Sequence, residues 1–163
     1  MSSLNNLTSN GFNIVLARAP NLVFRAQRVS IPGMDAQSVP QPTPFKQLFH
    51  TPDSITYTPF SINFILDEKM QTYFEISNWM RGITFPEDFE QYREIENSEM
   101  GLKSNLSVFI LNSKGNPNFR MDVEDAFPTN LDEIQLSISD SATAIVTMNV
   151  TFAYNSFKLE AVK

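Results

Sequence analysis

Few side chains in this sequence are equipped for chemistry. His50 is the only histidine, and so the only side chain that ordinarily titrates near neutrality. It lies in an apolar-rich stretch, residues 45–50, outside any recognisable catalytic motif, so a structural or exposed role is expected. There is no cysteine, which removes disulfides, thiolate zinc sites and thiol nucleophiles. Asp122 with Glu124, and Asp132 with Glu133, are close carboxylate pairs of the kind general acid–base work requires. Nothing singles them out from surface carboxylates. Glu87, Asp88, Glu90, Glu94, Glu96 and Glu99 form an acidic run offset only by Arg93. That run lacks the alternating Asp/Asn ligands and turn glycine of a calcium loop, and a solvated face is expected. No glycine-rich phosphate loop or GxSxG elbow is present. The expectation is a protein that is not an enzyme, with no catalytic residue, cofactor or metal.

The chain has 163 residues, 42% of them hydrophobic and 18% charged, with 14 Phe, 10 Pro and 5 Gly. That suits a single domain over residues 1–163 with a real core. The net charge of −6 argues against a surface that adheres to nucleic acid or anionic membrane, since both reward basic faces. It is compatible with a polyanion that must be kept from sticking. No stretch approaches a membrane span in length and no signal peptide is evident, so no membrane insertion is expected of the chain itself.

The apolar pattern is mostly period two, the strand signature. Phe12, Ile14 and Leu16 alternate. Arg18-Ala19-Pro20-Asn21 reads as a turn, and residues 22–31 as a second strand. Residues 32–53 are proline-rich, with Pro32-Gly33-Met34, Pro40, Pro42, Pro44 and the turn Pro52-Asp53. Alternate prolines favour an extended loop or edge, and such a segment suits an arm reaching a neighbouring subunit, because proline limits the entropy lost on docking. Residues 55–66 form a strand whose apolar phase slips at Pro59, predicting a bend there. Residues 67–81 form the one clear helix, with Asp67 and Glu68 at its start, Gly82 at its stop, and a stripe of Met70, Tyr73, Phe74, Ser77 and Met80. Ile76 and Trp79 widen the stripe, so Met70, Phe74, Trp79 and Met80 are assigned to the core. Residues 83–103 form an acidic insertion, and residues 1–10 a mobile arm. The last third reads as a meander: Leu106–Ile110, a hairpin turn at 113–117, Phe119–Val123, the turn Phe127-Pro128-Thr129-Asn130, a strand with Ile134, Leu136 and Ile138, and a long strand from about 143 to 157.

Two strand faces in that meander are polar. Glu133, Gln135 and Ser137 line one, and Thr147, Asn149 and Thr151 its hairpin partner. Long strands with open edges aggregate unless something pairs with them, and closure through neighbouring subunits is one solution.

The order of parts resembles the tail tube proteins of contractile-tailed, T-even-like bacteriophages. The carrying segments are NLVFRAQRVSIPGM, SITYTPFSINFILDEKMQTYFEISNWMRGI and DAFPTNLDEIQLSISDSATAIVTMNVTFAY. They hold a strand ending in a proline turn, a strand entering an acid-started helix with a late Trp79, and a closing hairpin after Pro128-Thr129-Asn130. The resemblance covers residues 12–157, with 87–100 least matched.

It implies a mainly β, antiparallel sandwich or barrel with one flanking helix, sheets joining across subunits into a hexameric ring, and rings stacking into a tube. Partners implied are further copies of itself, the tail sheath protein, a baseplate tube initiator and a tail terminator. Phage DNA would pass through without specific binding. Localisation would be the virion, after assembly in the host cytoplasm. Lumen-lining candidates are Ser61, Asn63, Glu133, Gln135, Ser137, Thr147, Asn149 and Thr151. Inter-ring candidates are Pro32, Gly33, Met34, Pro40, Pro42, Pro44, Pro52 and Asp53. The alternatives are a type VI secretion-type tube or baseplate initiator protein, and a β-sandwich module binding carbohydrate or peptide on an aromatic platform of Tyr57, Trp79 and Phe119.

Overall fold

The computed structural model describes residues 11–16, 18–84, 90, 92–93, 101–137 and 145–162, with Phe24 described by its backbone alone. The expected arm at 1–10 and most of the acidic segment 87–100 lie outside the described residues. So do Ile138 and the start of the expected long strand at about 143.

The complete elements among the described residues are antiparallel strands and two helices. One layer contains β1 (Phe12–Leu16), β8 (Ser104–Leu111), the first half of β9 (Pro117–Leu131) and β11 (Ser156–Ala161). The other contains the second half of β9, β10 (Thr147–Ala153), β7 (Phe60–Ile65) and β2 (Ala26–Val29). β9 belongs to both because it bends at Asp125, whose φ is +59°. Asp is among the few residues that tolerate that region. Its site is held by Asn105 Oδ1 accepting from the Asp125 N–H at 3.2 Å and by Asn155 Nδ2 donating to Asp125 Oδ2 at 2.6 Å.

The core lies between the layers. Ile14, Leu16, Leu106, Val108, Met121 and Val123 face Phe60, Ile62, Phe64, Met148, Val150 and Phe152, all buried. This is the alternation expected of half-buried strands. α2 (Gln71–Thr84) adds Ile76 and Trp79 to the core. The Trp79 indole N–H donates to the Leu102 carbonyl at 3.0 Å, its ring centroid lies 6.0 Å from that of Phe152, and Arg18 stacks at 5.2 Å.

Several sequence expectations change. Among the described residues there are two complete helices: α1 (Pro20–Arg25) occupies what reads as a turn and the start of a strand. Proline at the first helical position resembles turn chemistry, and six residues are too few to show a helical period. α2 begins at Gln71, after a turn in which Met70 has φ +52°. The Asp67 carboxylate still caps it, accepting from the Gln71 N–H at 3.0 Å. Met70 therefore precedes the helix and is half-buried, as is Met80. Phe74 is no core residue: it is 55% exposed, because Thr72, Ile76 and Trp79 define the buried stripe and Phe74 lies off it. The helix also runs through Gly82, which is buried, to Thr84.

Residues 127–130 are not a turn but the end of β9. Proline is tolerated there because that half of β9 is an edge, paired only with β10 among the described residues. Residues 132–137 consequently form no strand. The long closing strand is split into β10 and β11 by residues 154–155 and runs to Ala161. The bend at Pro59 is present: β6 (Thr56–Tyr57) pairs with the short β3 (Met34–Asp35), whereas β7 enters the main sheet.

Phe152→Ala is expected to destabilise the chain by about 3–5 kcal/mol. Phe74→Ala should change stability by no more than about 0.5 kcal/mol. Urea unfolding of both variants checks this, and similar losses would place Phe74 in the core after all.

Candidate functional site

His50 Nε2 lies 2.7 Å from Gln41 Oε1 on an exposed hairpin. Among the described residues no group of three His, Asp or Glu side chains gathers as a metal would need. Trp79 is buried, and Tyr57 is half-buried in a cluster with Tyr154 and Phe157, at centroid distances of 6.1 and 5.5 Å. These aromatics therefore do not form an exposed sugar-binding platform with Phe119.

The features that remain are surfaces. The outward face of the β2–β7–β10–β9 layer is polar and nearly uncharged. Ser61 lies opposite Thr151, and Asn63 opposite Asn149. Thr147 lies opposite Ile65 in the same ladder. Directly paired residues share a face, so Ser61, Asn63, Thr147, Asn149 and Thr151 are brought together as expected. Glu133, Gln135 and Ser137 are exposed but lie on the irregular segment after β9, not on a strand.

The structure adds residues the pattern did not single out. Asn130 pairs with Thr151. The Ser30 hydroxyl lies 2.9 Å from that of Ser61, and the Ser30 N–H donates to the Ser61 carbonyl at 3.0 Å. β2 carries a bulge between Ala26 and Arg28, and a bulge can set two successive side chains toward one face. Gln27, Arg28, Asn63 and Thr147 accordingly line a shallow open depression of about 430 Å³. On β2, β7, β10 and the part of β9 after Asp125, Arg28 is the one ionisable side chain. The signal for this was in the sequence, in consecutive polar residues that break the alternation.

The outward face of the other layer is different. Asp122 accepts from Ser107 Oγ at 2.5 Å and from Arg120 Nε at 2.8 Å. Glu124 accepts from Lys158 Nζ at 3.1 Å and Ser156 Oγ at 2.9 Å, which hold its carboxyl below the usual range, Lys158 foremost. This is a solvated, self-neutralised charged face.

A ribbon projects between β2 and β7. At its base Gly33 and Thr58 bond reciprocally through the backbone and the Thr58 hydroxyl, and β3 pairs with β6. Beyond it β4 (Val39–Pro42) pairs with β5 (Gln47–His50) around a tip at Pro44-Phe45. Phe45 is 100% exposed, and Met34 and Phe49 are each 67% exposed. Of the inter-ring candidates, Gly33, Met34, Pro40, Pro42, Pro44, Pro52 and Asp53 are exposed on this ribbon or at its base. Pro32 is buried, its side chain covered within the chain at the point where the ribbon leaves the sandwich. The Thr43 N–H turns inward to the Lys46 carbonyl at 3.1 Å. By strand alternation the backbone nitrogens of Pro40 and Pro42 point outward, where no ladder bond is lost.

The chain is thus a two-layer antiparallel sandwich with a helical shoulder, a projecting ribbon and one nearly uncharged polar face. The chain belongs to the phage tail tube protein family, whose model matches residues 2–160. Solved structures agree on the fold. A chain of the anti-feeding prophage baseplate is 12% identical with a TM-score of 0.68, covering 98% of each chain. A chain of the sheath–tube complex of an extracellular contractile injection system is 14% identical, TM-score 0.62, covering 98% of this chain and 95% of that one. The tube-terminating cap of the anti-feeding prophage gives 12% and 0.63, covering 99% and 95%. No curated protein matches by sequence. Among the described residues no helix is long and apolar enough to cross a membrane.

Tyr154 locks the ribbon base to the sandwich, its hydroxyl donating to the Thr58 carbonyl at 2.7 Å. Burial, then the neighbouring Tyr57, push its pKa above the ordinary 10.0. The folded chain therefore keeps a proton the unfolded chain has released. The stability contributed is complete below about pH 10 and is lost as pH rises through the raised value. Phenolate absorbance should show one tyrosine ionising late, and Tyr154→Phe should remove that late transition. A late transition that persists in the variant would place the perturbed phenol elsewhere.

Proposed function

We propose that this chain builds the inner tube of a contractile, T-even-like phage tail. Six copies close into a ring, rings stack, and the tube conducts phage DNA during ejection. The particle location is the virion, after assembly in the host cytoplasm. The sheath protein, a baseplate tube initiator and a tail terminator are the further partners.

The observation that carries this reading is the polar, nearly uncharged face of the β2–β7–β10–β9 layer. Its strands alternate in direction, and both bordering strands, β2 and the second half of β9, have an unpaired side among the described residues. Such edges are satisfied when copies dock head-to-tail around a closed circle. Turned inward, Ser61, Asn63, Thr147, Asn149 and Thr151 would line the bore. The expected lining of Glu133, Gln135 and Ser137 then falls to the rim, because that segment leaves the ladder. Hydroxyls and amides offer no dense positive charge, so phosphates release no counterions onto the wall and DNA slides past. The charged face of the other layer then looks outward.

The ribbon is the reading's ring-to-ring element. At about 3.3 Å per residue, the stretch from Gly33 to Pro44 spans up to about 35 Å, with exposed Met34 at its base, Phe49 along it and Phe45 at its tip. Apolar side chains displayed this way need a partner surface.

Electron microscopy of the purified protein, alone and with a baseplate initiator, is expected to show annuli and tubes. Persistent monomer under both conditions overturns the reading. Replacing residues 38–51 with a short Gly/Ser turn should leave the monomer's thermal transition within a few degrees of wild type, while rings no longer stack. Normal tubes from that variant would remove the ribbon from ring-to-ring contact.

A further inference from the structure

Arg28 is the only ionisable side chain on β2, β7, β10 and the part of β9 after Asp125, the strands of the proposed bore, and it has no ion-pair partner among the described residues. It lies at one border of the layer. Its row continues through Asn63, which it faces, to Asn149. The Asp132 N–H donates to the Asn149 carbonyl at 3.0 Å, so the row ends on Asp132 at the opposite border. Asp132 Oδ1 takes the Asn130 amide at 2.8 Å, and its other oxygen is open. One row therefore starts with a cation and ends with an anion.

The backbone at the two borders is arranged to match. The Ser30 N–H points into the sheet, to Ser61. By alternation the N–H and C=O of Val29 point out of it. The Asp132 N–H points into the sheet, so the N–H and C=O of Leu131 point out at the other border. The layer holds an even number of alternating strands, so β2 of one copy and β9 of the next run antiparallel when copies dock side by side.

We propose that β2 of one subunit pairs with the second half of β9 of a second copy, with Val29 and Leu131 exchanging backbone hydrogen bonds. Arg28 then lies opposite Asp132, and Ser30 opposite Asn130. The half-buried Val29 and Leu131 extend the two cores across the seam. The same seam neutralises the single cation of the bore, once per subunit. This rests on the tube reading and names the contact that closes its ring.

The test is charge reversal in the full chain: Arg28→Asp, Asp132→Arg and the double exchange, each followed by sedimentation and electron microscopy beside wild type. Both residues are exposed in the lone chain, and circular dichroism verifies that each variant folds. Each single reversal puts like charges together, which costs affinity at every seam. The expected result is a concentration for ring formation raised about tenfold or more in each single variant, and restored in the double variant. Single variants that assemble like wild type, or a folded double variant as defective as the singles, overturn the seam while leaving the tube reading intact. Wild type that forms no ring overturns both.

Discussion

An unpaired backbone is the constraint on which this structure turns. A strand border presents alternating N–H and C=O groups that must bond to something. The first half of β9 is paired on both sides, by β8 and β11, whereas residues 127–131 pair only with β10 among the described residues. Each layer therefore keeps two border strands paired on one side: β1 and β11 in one, β2 and the second half of β9 in the other. Asp125, in an uncommon conformation, stands where β9 passes from one layer to the other.

The two outward faces differ in charge. On the β1–β8–β9–β11 layer Arg120, Asp122, Glu124 and Lys158 neutralise one another locally. On the β2–β7–β10–β9 layer the polar side chains carry no charge except at the two borders. Charges scattered over that layer would have to be desolvated or matched wherever copies dock. Neutral hydroxyls and amides impose no such demand, and leave Arg28 and its counterpart to specify orientation.

Much of this was legible in the sequence. Alternation at 12–16, 60–65, 104–111 and 147–153 is clean because each strand has one buried and one solvated face, and that alone places Ser61, Asn63, Thr147, Asn149 and Thr151 together. Trp79 was legible because a helical stripe must include it. What was not legible has local causes. Pro20 opens a helix too short to show a period, and Pro128 sits in an edge strand where its missing N–H does no harm. Phe74 suits a buried stripe by type and spacing, yet the stripe is set by what the helix packs on. A strand was expected over residues 22–31, but the bulge between Ala26 and Arg28 breaks its alternation, so the facing of Gln27 and Arg28 was not legible. In each case the deciding information is tertiary: which border is open, and which face is covered.

The prolines of the projecting ribbon have a separate effect. With outward nitrogens that carry no hydrogen, Pro40 and Pro42 leave the β4 flank able to accept hydrogen bonds but not to donate them at those positions, whereas the β5 flank retains both functions. Newly made chains at high concentration cannot zip flank to flank along β4, so the ribbon has only one competent side for strand addition. In a tube subunit of the proposed kind, that restriction would limit premature strand addition at the element that exposes Phe45 and Phe49.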